Sequence, residues 1–515
     1  MTENTSKPVK SLRIAVIGAG ISAIAVARIL KRAGHDIVIF EKSDKVGGIW
    51  ATTYPRVSLQ NTRAHYFFSD FNYPEQPNLH PTGEQILRYL NQAVDHFGLD
   101  VRFNQEVTAS AFENNEWVLT VASDSGELQQ AFDFLVVATG QYNAEKPETE
   151  FPGVETFSGN VLTEIDVDNL DVFNDKRVAV VGFGKSAVDM AVFAREQGAR
   201  VDHVFRTPRW LLPFKIFGVH YANLLFNRAS TIMMPSWAHA SSIAKFVHGN
   251  LPFVPSGFWK MIAGILKLRL KLMALKGSKA AAERLKLVTP THRLVPDLRS
   301  ALALAPHNYY EYIADGQITP HINEVAAFDS EGLVLGDGSK VACDIVVLST
   351  GSKKPAFRFL PDQYRELIEA EHDGAQLYRH LIHPGIPSLA FAGLNHGFMH
   401  VPSAEVGALW LCELLDGRMA VPESATQLQA IAHIREWKRA HIHFEPSRSC
   451  AVNTRFQQYN DIILKDLGIS PYRKMPNIFA ECFAGYGAGD YAGLVNEFFE
   501  TREQRGLRSP LDEST

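Results

Sequence analysis

The chain has 515 residues, too many for one ordinary hydrophobic core, and at about 150 residues per domain two to four domains are expected. A composition 46% hydrophobic and 21% charged excludes a disordered or fibrous chain, and no run of about 18 apolar residues offers a membrane-spanning helix. With 51 basic against 56 acidic residues the net charge is −5, which argues against nucleic acid as the main partner.

The polar start, with no apolar run before the first strand, is not expected to act as a signal peptide. A strand-like run, Arg13 to Ile17, then meets Gly18-Ala19-Gly20-Ile21-Ser22-Ala23. A helical stretch from Ile24 to Ala33 follows, and a second strand, Asp36 to Phe40, closes on Glu41. Strand, glycine turn, helix, strand and acid make a βαβ unit that binds a dinucleotide. The glycines allow a tight turn and a close approach to pyrophosphate, which sits on the helix N-terminus. Glu41 is placed to accept from ribose hydroxyls.

The same unit recurs. Arg177 to Val181 reads as a strand and Gly182-Phe183-Gly184-Lys185-Ser186-Ala187 as the turn. Val188 to Glu196 reads as the helix, and Val201 to Phe205 as the next strand. Here the closing residue is Arg206, with Arg209 three positions on, where the first unit carries an acid. Arginine at that place suits a 2′-phosphate, so the first site reads as FAD and the second as NADPH; the bland alternative is a solvated turn. Two further apolar strands, Phe134 to Val137 and Ile345 to Leu348, run into Ala138-Thr139-Gly140 and Ser349-Thr350-Gly351. They mark crossings between domains. The expected organisation is α/β: an FAD domain over 1–145 and 351–515, and an inserted NADPH domain over 146–350.

Positions 203–282 contain no Asp or Glu and eleven bases, with aromatic and leucine residues interleaved. They read either as a helical insertion at about 210–290 packed on the NADPH domain, or as an amphipathic lid. Such a lid would admit lipophilic substrate or touch an anionic membrane. Late in the chain an apolar helix is expected over Val406 to Leu415, and the polar residues after Glu500 are expected to fray. The four cysteines, Cys343, Cys412, Cys450 and Cys482, show no Cys-x-x-Cys. That offers neither a disulfide framework nor a metal site, fits a reducing cytoplasm, and removes the chemistry of a flavin disulfide reductase.

These residues resemble the class B flavoprotein monooxygenases, which include flavin-containing and Baeyer–Villiger monooxygenases. Glu41-Lys42-Ser43 with Gly47-Gly48-Ile49-Trp50 is similar to the family's FAD-ribose segment. Gln60-Asn61-Thr62, followed by Ser69-Asp70-Phe71, is similar to its Asn-Thr segment. Gly182 to Asp189, with Ser186 and Asp189, resembles its second turn, and Phe205 to Trp210 its NADP-phosphate segment. Pro402 to Trp410, with Glu405, also matches. The resemblance implies cofactor contacts from Gly18 through Ser22, Glu41, Gly48, Ile49, Trp50, Gln60, Asn61, Thr62 and Val107. In the second unit it implies Gly182, Gly184, Ser186, Ala187, Asp189, Arg206 and Arg209. One departure stands out. The family fingerprint F-x-G-x-x-x-H-x-x-x-(W/F/Y) begins at Phe157 and Gly159, but Thr163 and Val167 replace its histidine and aromatic. This puts the coupling between NADP position and catalysis in doubt.

The resemblance implies that NADPH reduces the flavin, and that dioxygen then forms a C4a-hydroperoxyflavin that oxygenates a lipophilic small molecule. Asn61 is the candidate amide facing the flavin; otherwise it is a turn residue that caps a helix. Thr289-Pro290-Thr291-His292-Arg293 falls where the subfamilies differ. With Arg293 turned to solvent, oxygen transfer to nitrogen or sulfur is expected; with Arg293 over the flavin, Baeyer–Villiger insertion at a ketone. A flavoprotein that consumes NADPH and oxygenates nothing is the reading from another class.

Overall fold

The structure is a computed structural model and describes residues 10–141, 145–147, 150–216, 218–234, 241–300, 303–304, 308–395, 397–441, 452 and 455–511. Cys450 lies outside them.

Two five-stranded parallel sheets carry the molecule. In the first, the spatial order is Leu389–Phe391, Phe134–Val137, Arg13–Ile17, Asp36–Phe40 and Val101–Arg102. In the second it is Ile318–Ile322, Arg200–Phe205, Arg177–Val181, Ile345–Leu348 and Asn160–Thr163. Both sheets are covered on both faces, which is why residues 14–17, 37–40, 134–137, 178–181 and 345–348 read as unbroken apolar runs. Alternation sorts the residues. Ile14 and Val16 face a core shared with the helices Ile21–Arg32, Gly83–Phe97 and His400–Leu415. Ala15 and Ile17 face the other side, with Trp117 and Phe132 of an antiparallel meander over residues 106–132. In the second sheet Val178 and Val180 face the helix Lys185–Glu196, while Ala179 faces a smaller meander over residues 325–342.

The chain therefore builds part of the first sheet, builds the whole second sheet, and returns at Leu389–Phe391 to complete the first. The fold is that of two Rossmann-like domains, one inserted in the other. The basic stretch is mostly helical, with Tyr221–Leu225, Arg228–Ile232, Ser242–Asn250, Phe253–Lys276 and Lys279–Leu287 in sequence.

Two expectations change. Both dinucleotide helices begin earlier than the apolar pattern indicates, at Ile21 and Lys185, directly after the second glycine of each turn. The residues after Glu500 up to Leu511 are tied down. Arg502 is buried against Glu413 and Asp416, and Leu511 N–H donates to Asp466 Oδ1 at 2.8 Å while its carbonyl accepts from Arg379 at 2.7 Å. Polar composition did not reveal partners so far away in sequence.

Candidate functional site

The two turns are built alike. Gly18 has φ +98°, and a Cβ there would lie 2.8 Å from Ala138 O. Gly182 has φ +125°, and a Cβ would lie 2.3 Å from Ser349 O. In each unit the first glycine packs against the carbonyl at the end of the neighbouring strand, so any side chain would clash in a strained backbone. The second glycines differ. Gly20 is extended (φ −80°, ψ 178°) and a Cβ would meet only Gly48 Cα at 3.7 Å; beside Gly184 nothing lies within 4 Å. Both cap a helix whose first-turn N–H groups lack intrahelical partners, so each leaves open space at a site for an anion.

Around the first turn, Gly47 N–H donates to Ala19 O at 3.1 Å, which brings the segment Gly47 to Trp50 alongside Gly20. Ile49 is exposed, and Trp50 donates to Tyr66 OH at 2.8 Å. Glu41 is buried at the end of its strand. Its Oε2 accepts from Ala19 N–H at 2.8 Å, and its Oε1 accepts from Ser43 N–H and Oγ–H at 2.9 and 2.8 Å. The carboxylate is thus fixed, and Oε2 keeps a lone pair for a ribose hydroxyl. Ser22 Oγ shares a hydrogen bond with His400 Nε2 at 3.0 Å, and burial lowers the His400 imidazole to about 4. Val107 lies on the strand Glu106–Glu113 with its side chain in the core, so only its backbone can face a cofactor. These residues fit the adenosine and pyrophosphate of a dinucleotide.

Asn61 is buried, and both ends of its amide are engaged. Its Nδ2 donates to Phe398 O, and its Oδ1 accepts from Tyr221 OH at 3.1 Å. Tyr221 OH also lies 2.7 Å from Gln60 O, and Gln60 Oε1 accepts from Leu304 N–H at 3.0 Å. The helical insertion therefore reaches into the Gln60-Asn61-Thr62 segment. Thr62 Oγ1 pairs with His65 Nδ1 at 2.8 Å, and burial holds His65 down at about 4. Tyr221 carried no signal in sequence, because its partner lies 160 residues away.

A cavity of about 1280 Å³ opens between the two domains. Gly182, Gly184, Ser186 and Arg206 line it from the second domain, and Gly374 and Leu394 from the first. Arg206 is exposed there. Arg209 also reaches the cavity but is anchored, its Nη1 lying 3.2 Å from the buried Asp297. Asp297 further accepts from Trp210 N–H at 2.8 Å and pairs with His292 Nε2 at 2.8 Å. One carboxylate thus joins the Arg206–Trp210 segment to the Pro290–Arg293 segment. The sequence held a signal for it: Asp297 and Glu283 are the only acids between residues 203 and 300.

The structure separates other expected site residues. Asp189 is buried, accepts from Tyr54 OH at 2.9 Å, and pairs with Lys185. It fastens the first domain to the second and does not line the cavity, while Ser186 does. Ala187 lies in the core below the turn. Thr163 takes the N-cap of a short turn, its N–H and Oγ–H both 2.7 Å from Asp166 Oδ2, and Val167 is buried. Between them Glu164 lines the cavity and pairs with Lys146. Arg293 is exposed. Cys343, Cys412 and Cys482 are free thiols.

Two Rossmann-type domains, each with a glycine turn at a helix N-terminus, and a cavity between them offer places for two dinucleotides. The family described as flavin-binding monooxygenase-like matches residues 11–248. A probable flavin-containing monooxygenase 1 of Arabidopsis thaliana is 31% identical over 95% of this chain and 98% of its own length. Among solved structures, an open form of cyclohexanone monooxygenase superposes with a TM-score of 0.66 at 19% identity, covering 89% of this chain and 98% of that one. The OTEMO complex with FAD and NADP gives 0.60 at 20% identity, covering 84% and 90%. The chain belongs to the flavin-containing monooxygenase family and is a flavin monooxygenase; its cofactors are FAD and NADPH.

Proposed function

We propose that the enzyme uses NADPH and dioxygen to place one oxygen atom on a nitrogen or sulfur of a lipophilic small molecule. The balance is NADPH, a proton, dioxygen and substrate in, and NADP⁺, water and oxygenated substrate out. Bound FAD supplies the two-electron relay from NADPH and the activation of dioxygen. The protein binds, orients and excludes water.

What carries the preference for nitrogen or sulfur is the exposure of Arg293. A ketone-inserting enzyme needs a cation held in a water-poor site, where one such donor is worth about 2.7–4 kcal/mol. Arg293 points to solvent, and its neighbour His292 is held by Asp297. The purified enzyme is expected to oxidise thioethers or tertiary amines, with Arg293→Ala nearly unchanged. Ester or lactone formation from a ketone panel, lost in Arg293→Ala, overturns the reading. Stoichiometric hydrogen peroxide with every substrate would make it an NADPH oxidase instead.

Arg206 is the proposed contact for the 2′-phosphate, with Arg209 positioned beside it by Asp297. NADPH is then strongly preferred to NADH. Arg206→Ala is expected to raise the KM for NADPH roughly 10- to 100-fold, since one charge-assisted contact is worth about 1.5–3 kcal/mol. The KM for NADH should barely move. Equal use of both nucleotides by the wild type would count against it.

Asn61 is proposed to face the flavin through its remaining N–H, held in place by Phe398 and Tyr221. Asn61→Ala should keep flavin reduction by NADPH while oxygen transfer falls and peroxide release rises. Unchanged coupling would make Asn61 a structural residue.

A further inference from the structure

The helix Phe253–Lys276 carries two apolar faces. One is used inward. Trp259, Ile262 and Leu266 join the core of the first domain, and Leu270 joins that of the second. Trp259 Nε1 donates to Met233 O at 2.8 Å. The other face points to solvent: Phe253, Met261, Leu268, Leu272 and Leu275 are 68, 54, 53, 50 and 71% exposed. At about 100° per residue, these five fall within an arc of about 100°, roughly opposite the buried four.

Basic side chains rim that arc. By the same rotation Lys260, Lys267 and Lys271 run along one edge, and Arg269 and Lys276 along the other; all are exposed. Among the described residues only Arg269 has an acidic neighbour, Glu311, at 3.9 Å. The helix Ser242–Asn250 precedes it in the chain and adds Ile243 and Phe246, both more than half exposed. All of this lies in the 80 positions without an acid, in a chain whose net charge is −5. An anionic surface that repels the molecule as a whole would attract this region.

We propose that the helix Phe253–Lys276, with Ile243 and Phe246, docks the enzyme on an anionic lipid surface, lying in the plane of the interface. Leucine, methionine and phenylalanine side chains enter the acyl boundary, and the amines reach the headgroups. Among the described residues no helix is long and apolar enough to cross a membrane. A second copy is a poor occupant of this face, because pairing two such helices brings basic rows together with no acid to neutralise them.

The test is co-sedimentation of the full-length holoenzyme with phosphatidylcholine vesicles, with and without added phosphatidylglycerol. Binding should favour the anionic vesicles and weaken as salt rises. Replacing Lys260, Lys271 and Lys276 together by Gln should lower partitioning roughly 100-fold. Leu268→Glu with Leu272→Glu should abolish binding, with FAD content and unfolding temperature preserved because both leucines are exposed. Equal binding to both vesicle types, no binding to either, or retained binding by the double glutamate variant overturns the proposal. So does a concentration-dependent dimer that the leucine substitutions dissociate. The assay needs no turnover, so it stands apart from the oxygenation chemistry.

Discussion

Gly20→Val is expected to give a folded protein that purifies without the yellow of bound FAD. Gly20 sits in ordinary extended backbone, φ −80° and ψ 178°, so a side chain brings no strain. A Cβ there meets only Gly48 Cα at 3.7 Å, a normal contact. The fold has room; the cofactor does not. Gly20 caps the helix Ile21–Arg32, where the proposed site puts pyrophosphate on the free N–H groups, and the branched side chain would fill that space. FAD affinity should fall at least about 100-fold, the scale of losing two or more charge-assisted hydrogen bonds. Gly18→Ala is the contrast. Its Cβ would lie 2.8 Å from Ala138 O at φ +98°, so the fold itself suffers. Visible absorbance after gel filtration, and unfolding temperature compared with FAD-stripped wild type, separate the two. The comparison must be with stripped protein because bound FAD stabilises by mass action. A yellow Gly20→Val protein would mean that the space belongs to something else.

The second large effect is expected at Glu405. It is fully buried on the helix His400–Leu415, paired with Arg28, and accepts from Ser69 N–H and Oγ–H at 2.9 and 3.1 Å. Arg28 also pairs with Asp70 and lies over the rings of Phe68 and Phe97. This cluster locks the first dinucleotide helix to the helix that closes the domain. Glu405→Ala leaves a buried guanidinium with Asp70 alone and a buried Ser69 N–H without an acceptor. Breaking a buried pair in this way costs about 3–5 kcal/mol, enough to lower Tm by roughly 10 °C. Glu405→Gln keeps the acceptor and should lose far less.

Burial pushes the Glu405 carboxyl up to about 7, against the opposing pull of Arg28 and Ser69. A carboxyl raised in the folded state contributes stability below its unfolded pKa and loses it as pH rises through the folded value. The stability of wild type relative to Glu405→Gln should therefore fall between about pH 5 and pH 8, which thermal unfolding at the two ends measures. A Glu405→Ala protein within about 1 kcal/mol of wild type would remove the cluster from the account.

Local chemistry made the two dinucleotide units legible in the sequence. β-Branched runs buried on both faces, glycines at the turn, and an acid or an arginine at the closing position need only neighbouring residues to be recognised. The strands Arg13–Ile17, Asp36–Phe40 and Arg177–Val181 stand where their residues place them. The flanking strands into Ala138 and Ser349 were also legible, but not their use: those two carbonyls are what the first glycines touch. Tertiary structure decided the rest, because each contact joins residues far apart in the chain. It separated Arg206 from Arg209 through Asp297, tied Asp189 to Tyr54, and set Tyr221 against Asn61. It also sorted the apolar residues of the helix Phe253–Lys276. Sequence shows that helix as apolar residues interleaved with bases; only packing shows that Trp259 and Leu266 face the core while Leu268 and Leu272 meet solvent, since burial depends on which neighbours the fold supplies.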